Sequence, residues 1–368
     1  MNKLSIVFTM LIAVVLISSC TSTLEENNTF YVGTYTKKES KGIYKISISK
    51  EGELNKIGLV AATNNPSFLA KSKDSKTLFT VDETDKNGTG FVKSYKIEND
   101  SLILISTSKS GGAHPCFVTI NNKNQVLVAN YSGGNVGLLN AKETGTLSEL
   151  VAVQQHTGKG TTKRQEAPHA HSTWFHPSKN EITSVDLGTN QLWFSTIDTS
   201  KNEFVFTNQK TLKMAEGAGP RHLTFHANNK WIYVLNELNN TISLVKEKEE
   251  NYYIDSSIST LPKEFTAFSK AADIHITKDG KFLYASNRGD NSIIIYKVNS
   301  ENGTLKTIGY QPVLGKSPRS FSFSPNEDFL LVANQDTDNI VSFKRNFKTG
   351  KLTFVDEISI SMPVCILF

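Results

Sequence analysis

Gly217 to Glu237 reads GAGPRHLTFHANNKWIYVLNE, and most of the chain repeats its plan. Gly219-Pro220-Arg221-His222 is a tight loop carrying a guanidinium and an imidazole. Leu223-Thr224-Phe225 alternates apolar and polar, which predicts a short strand. His226 to Lys230 is a polar turn. Trp231-Ile232-Tyr233-Val234-Leu235 is aromatic and β-branched, the composition of a second strand, and Asn236-Glu237 closes it.

The plan returns in HPCFVTINNKNQVLVANY from His114, HAHSTWFHPSKNEITSVDL from His169, AADIHITKDGKFLYASNR from Ala271 and SPRSFSFSPNEDFLLVANQ from Ser317. A weaker copy, NPSFLAKSKDSKTLFTVDE, starts at Asn65. The residue closing the second strand is Asp82, Asn130, Asp186, Asn236, Asn287 and Asn334, at gaps of 48, 56, 50, 51 and 47 residues. A period near 50 with several short strands per unit predicts an all-β chain, a β-propeller with one four-stranded blade per repeat. Thr29 to Thr36, Lys41 to Ile48 and the segment from Leu54 supply three strands that no Pro-led strand precedes. Met362 to Phe368 is a lone first strand. Together they complete one blade. The expectation is a seven-bladed ring closed by pairing the C-terminal strand with the N-terminal strands, leaving no open edge.

The chain has 368 residues, 38% hydrophobic and 10% aromatic, enough for an ample core, and the repeats argue for one domain over residues 29–368. A net charge of +5 with acids and bases interspersed points away from nucleic acid. Residues 1–20 differ. Lys3 precedes an apolar run from Leu4 to Ile17, and Leu16-Ile17-Ser18-Ser19-Cys20 resembles a bacterial lipobox. The expectation is a lipoprotein signal peptide over 1–20, a lipid on Cys20, a polar tether over 21–28, and an exported protein that meets the membrane only through that lipid. Cys116 and Cys365 fall in first strands of blades that are not neighbours, so they read as two buried thiols. A nucleophilic thiol needs a base, and His114 is near Cys116 in sequence.

A propeller binds small molecules at one mouth of its channel, where loops lead into first strands and out of second strands. The leading loops offer Asn65 and Ser67, His114 and Cys116, His169 and His171, Gly219 and Arg221, Lys270 and Ala272, Ser317 and Arg319. The residues after the second strands are Glu83, Tyr131, Leu187, Glu237, Arg288 and Gln335. His171, Arg221, Glu237 and Arg288 come from three consecutive blades and should face one volume. Arginines bind a carboxylate, phosphate or polarised carbonyl. A histidine can take or give a proton. The set suits chemistry in which an oxyanion develops and water is deprotonated. His114, His169, Arg319 and Glu83 are further candidates for substrate contact. Arg319 could instead pair with Glu83 or Asp336, and His222 could bond backbone within its own blade. His169-Ala170-His171 would place two rings on one strand face. No cysteine pair or His-Glu-x-x-His supports zinc, and no Gly-rich phosphate loop or Gly-x-Ser-x-Gly elbow occurs, so neither metal nor cofactor is expected. Two loops exceed the repeat: Gln155 to Pro168, polar and basic, and Glu249 to Ala272.

These motifs resemble the lactonase family of seven-bladed propellers, which holds bacterial 6-phosphogluconolactonases and fungal carboxymuconate lactonizing enzymes. The carriers are Tyr31-Val32-Gly33-Thr34-Tyr35-Thr36, His114-Pro115 with Val128 to Tyr131, His169-Ala170-His171-Ser172, Gly219 to His222, Asn236-Glu237-Leu238, Ser286-Asn287-Arg288 and Ser317-Pro318-Arg319. The resemblance spans about residues 30–368. It implies a lactone hydrolase acting on a small sugar-acid lactone, with catalysis carried by His171 (or His169), Arg221, Glu237 and Arg288. The alternatives are a cycloisomerase closing a diacid to a lactone, and a ligand-binding propeller without turnover. Lys270-Ala271-Ala272-Asp273 departs from the family pattern, and export sits badly with a cytoplasmic phosphorylated substrate.

Overall fold

In a computed structural model, residues 29–368 are described, and they form seven four-stranded antiparallel sheets with no helix. The leader, the lipidation at Cys20 and the tether predicted over 1–28 lie outside the described residues. The composite blade runs Pro363–Leu367, Thr29–Thr34, Gly42–Ile48 and Leu54–Ala62 from the channel outward. Val32 pairs with Ile366 and Gly33 with Cys365, so strands from the two ends of the described chain close the ring.

The sheets stack radially, and the core lies between them. Tyr233, Leu235, Ile242 and Leu244 of the fifth blade pack on Ile274, Leu283, Ala285 and Ile294 of the sixth. Phe30, Val32 and Ile46 pack on Leu331, Ala333 and Ile340 across the junction of the composite blade with the seventh. The second strands are covered on both faces, so Gln125–Asn130 and Phe329–Asn334 are buried throughout and read as apolar runs. The outermost strands alternate, as in Glu203–Lys213, because one face meets water.

Every second strand outside the composite blade ends where the repeat predicts: Asp82, Asn130, Asp186, Asn236, Asn287 and Asn334. The reason is a tie across the blade. Asn130 Nδ2 donates to Ser110 O at 3.0 Å, Asn287 Nδ2 to Thr260 O at 2.7 Å and Asn334 Nδ2 to Val313 O at 3.1 Å. Each acceptor lies just past an outermost strand, in the chain returning to the channel. In the composite blade Thr34 takes this place, donating from Oγ1 to Gly42 O.

The segment Glu249 to Ala272 is not one long loop. It contains the outermost strand Asn251–Ser259, whose polar residues carry the alternation of a wet strand. The true connection is 260–270. Cys116 and Cys365 are buried and unbonded to each other.

Asn287 also accepts from Thr260 Oγ1 at 2.7 Å, a hydroxyl that has Asn240 O at 3.0 Å as a second acceptor, so truncation strands the buried Thr260 O. Asn287→Ala should lower the unfolding free energy by roughly 1–3 kcal/mol in urea titrations. An unchanged midpoint would mean that the tie does not hold the blade.

Candidate active site

A β-bulge opens most first strands. Pro220 pairs with Asn236 and His222 with Leu235, which leaves Arg221 as an extra residue. His171, Cys116 and Arg319 are the extra residues of their strands by the same count. A bulge re-aims its side chain, and here it sends one residue per blade toward the channel axis. The residues after the second strands supply the other half of the mouth: Tyr35, Glu83, Tyr131, Glu237 and Arg288.

Glu237 is the centre of this group. It is 2% exposed, and its Oε2 accepts from Arg221 Nη1 at 3.0 Å and forms an ion pair with Arg288 Nη2 at 2.8 Å. Arg164, from the basic loop after Gln155, reaches Oε1 at 3.4 Å and donates to the Tyr131 hydroxyl at 2.8 Å. Burial opposes the Glu237 charge, but Arg288, Arg221 and Arg164 override it and hold the carboxyl far below the usual range. Arg221, 3% exposed, also donates from Nε to Ala272 O at 2.7 Å and from Nη1 to His171 Nε2. Burial, with Arg288 and Arg319 nearby, lowers its pKa to about 10, so it stays charged at neutral pH. Arg288 Nη2 donates to Ala271 O at 3.1 Å, and its buried Nε has no partner among the described residues.

His171 is buried, and burial with the Arg221 charge beside it drives its pKa well below the ordinary imidazole value. It is neutral at pH 7, and its Nε2 lone pair faces Arg221. Across the mouth, the Tyr35 hydroxyl donates to Glu83 Oε2 at 3.0 Å, and the Arg319 guanidinium lies 5.3 Å from the Tyr35 ring centre. Four guanidinium groups (Arg164, Arg221, Arg288, Arg319) thus face two carboxylates (Glu83, Glu237), with Lys270 half-buried nearby. The mouth favours an anion.

The four residues expected to carry chemistry converge. Others differ in detail. Arg319 does not pair directly with Glu83 or Asp336, because the Tyr35 ring comes between Arg319 and Glu83. His169 stacks on Tyr131 at 4.5 Å, and its nitrogens meet Tyr131 O at 3.1 Å and Glu166 at 3.3 Å. It therefore does not join His171 in a ligand pair. Among the described residues no three His, Cys, Asp or Glu side chains gather as metal ligands do. His114 sits at the rim, with Nδ1 2.9 Å from Ser132 Oγ. Cys116 lies 3.9 Å from His171 Nδ1, so its imidazole neighbour is not His114. Burial pushes the thiol far up and leaves it unreactive. His222 does not bond backbone within its blade: Nδ1 meets Asp273 of the next blade at 3.0 Å.

Two residues escaped the sequence. Tyr35 stands in the same position as Glu83 and Glu237, but Thr34 before it breaks the Asn/Asp signature. Arg164 lies in a loop whose basic character was visible and whose reach was not. Buried anchors set that reach: His156 Nδ1 meets Asp186 at 2.7 Å, and Gln165 Nε2 donates to Leu187 O at 2.9 Å.

The family described as "Lactonase, 7-bladed beta-propeller" matches residues 29–368, and the chain belongs to it. It is 36% identical over 345 residues to a 6-phosphogluconolactonase of Bacillus subtilis, covering 92% of this chain and 97% of the relative. A 6-phosphogluconolactonase of Formosa agariphila is 35% identical over 88% of this chain and 94% of its own. The periplasmic gluconolactonase of Pseudomonas aeruginosa superposes with a TM-score of 0.88 at 28% identity, covering 92% of this chain and 98% of its own.

Burial lowers His222 to about 4, against the pull of Asp273, and His171 lies well below 6.5. A histidine whose folded pKa is depressed takes up its proton only on unfolding, so stability falls as pH drops from about 6.5 toward 4. For His222 the loss should lie between about 1 and 2 kcal/mol from pH 6.5 to 5, His171 adds to it in the same direction, and His222→Gln should remove the His222 share. Urea unfolding at both pH values measures this. An equal loss in the variant would show that His222 is not the proton acceptor.

Proposed function

We propose that the protein hydrolyses the lactone of an anionic sugar acid, as its relatives named 6-phosphogluconolactonase are described to do. The observation that carries the reading is the convergence of arginines, held by Glu237, around a neutral His171. The lactone carbonyl would lie against Arg221 and Arg288. Arg164, Lys270 and Arg319 would receive the acid or phosphate group, with Glu83, Tyr35 and the rim histidines His114 and His169 bordering the sugar. Glu237 is doubly paired and strongly acidic, so its role is to fix the two arginines rather than to take a proton.

In the unliganded site His171 Nε2 accepts from Arg221. A bound carbonyl draws the Arg221 N–H to itself and releases that lone pair for water. An anion in the mouth also offsets the arginine charges that lower the His171 pKa, so the base strengthens when substrate arrives. Water oxygen then attacks the carbonyl carbon, and its proton passes to His171. The oxyanion rests on the arginines. As it collapses the ring C–O bond breaks, and His171 returns the proton to the departing alkoxide.

We further infer that residues 1–20 export the chain and that Cys20 carries lipid. The periplasmic gluconolactonase of P. aeruginosa supports a family member working outside the cytoplasm. Metabolic labelling with a palmitate analogue should mark the full chain and not Cys20→Ala.

Proton release on gluconolactone and its 6-phosphate tests the chemistry. Arg221→Ala should lower kcat/KM by about 10²–10³ while the fold persists. Arg164→Ala should raise KM for the phosphorylated lactone with kcat within about twofold. Wild-type turnover in Arg221→Ala would sink the assignment. A folded chain inactive on every lactone would favour the cycloisomerase or the binding propeller.

A further inference from the structure

The channel has a second chamber. The later halves of the first strands, including Phe117–Ile120 and Ser320–Ser322, enclose a cavity of about 390 Å³ that opens on the face opposite the arginines. That volume falls within the range of small-molecule sites, about 300–1,000 Å³. Its walls differ from the mouth above. Phe68, Phe117 and Trp174 form a continuous aromatic side, with ring centres 4.3 and 4.7 Å apart. Phe321 continues the lining.

Lys71, Asp273 and His275 also line the cavity, and one further polar group, His222, is set among the rings. His222 projects from the fifth blade with its ring edge-on to Phe68 at 6.0 Å and Phe117 at 5.7 Å. Its Nδ1 is engaged by Asp273 Oδ1 at 3.0 Å. Asp273 is fully occupied, accepting also from Ile274 N at 3.0 Å and Phe321 N at 3.2 Å, with His275 Nε2 at 3.3 Å. The carboxylate therefore holds the proton on Nδ1 and leaves Nε2 as a bare acceptor. Nε2 is buried, the residue is 4% exposed, and no donor among the described residues reaches that atom. An acceptor fixed by a satisfied carboxylate, inside an aromatic cavity, lacks only a donor. Leaving it empty-handed is costly in so apolar a place.

We propose that this chamber is a binding site for a small neutral aromatic molecule that carries one hydrogen-bond donor, of the phenol type. The ring would lie among Phe68, Phe117 and Trp174, and its hydroxyl would donate to His222 Nε2. The site is separate from the arginine mouth. His171 and His222 stand between the two, with ring centres 5.3 Å apart and in edge contact. The upper chamber is lined by arginines and carboxylates, and the lower one mainly by aromatic and aliphatic side chains.

Calorimetric titration of the full chain with phenol, and with toluene as the same shape lacking a donor, tests this. Phenol should bind saturably and at least about tenfold tighter than toluene. His222→Phe should erase that preference, and His222→Gln, which keeps an acceptor, should retain part of it. Trp174 fluorescence should respond to phenol in the parent and not in Trp174→Phe, whose calorimetric binding persists. Arg221→Ala should bind phenol as the parent does, whether or not any lactone is turned over. Absence of saturable phenol binding, equal affinity for toluene, or loss of binding in Arg221→Ala would each overturn the proposal.

Discussion

The polar residue that ends each second strand ties the fold to the site. Its side chain reaches the returning chain or the next hairpin, as Asn236 does to Thr241 Oγ1 at 2.9 Å and Ser243 Oγ at 3.0 Å. That tie anchors the strand end. The next residue then leaves the sheet at a set place and angle on the channel mouth. Glu237 follows Asn236, Arg288 follows Asn287, Glu83 follows Asp82 and Tyr35 follows Thr34. A repeat that serves stability therefore delivers one variable side chain per blade to a common volume. The bulged residue of the neighbouring first strand delivers a second.

Those deliveries are mutually dependent. Arg221 and Arg288 could not be buried so close together without the carboxylate of Glu237, and Glu237 could not be buried without them. Burial and then the same charges keep His171 neutral, because a protonated imidazole beside Arg221 would add a further cation to a group already in excess. Below this layer the channel changes character within a few ångströms. His222 faces aromatic rings, and its charge is suppressed mainly by burial rather than by arginines. Two imidazoles thus share one wall and owe their neutrality first to burial, to which the Arg221 charge adds.

The repeat made the fold legible, since its period, its closing residues and its unmatched ends are all local features of the chain. The convergence of His171, Arg221, Glu237 and Arg288 was legible because equivalent positions of a ring must face one axis. What stayed hidden depends on contacts that no local pattern records. Tyr35 was masked by a threonine doing an asparagine's work. The reach of Arg164 depends on His156 and Gln165 being buried against the fourth blade. The His222–Asp273 pair joins two blades, and 51 residues of sequence separate its members. The strand Asn251–Ser259 reads as loop in the sequence because an outermost strand, wet on one face, resembles a polar connection in composition.

Closure of the ring also orients the molecule. Thr34 pairs with Pro363 at the arginine mouth, so the strand from Thr29 starts at the other end of the channel. Thr29 therefore stands at that lower face, on which the aromatic chamber opens. A chain held to a surface by its leading residues would stand on this face like a cup on its base. Its arginine mouth would open upward to the surrounding fluid, and polar solutes could reach it without approaching the surface. The lower chamber would instead face the surface, where small apolar molecules partition and concentrate.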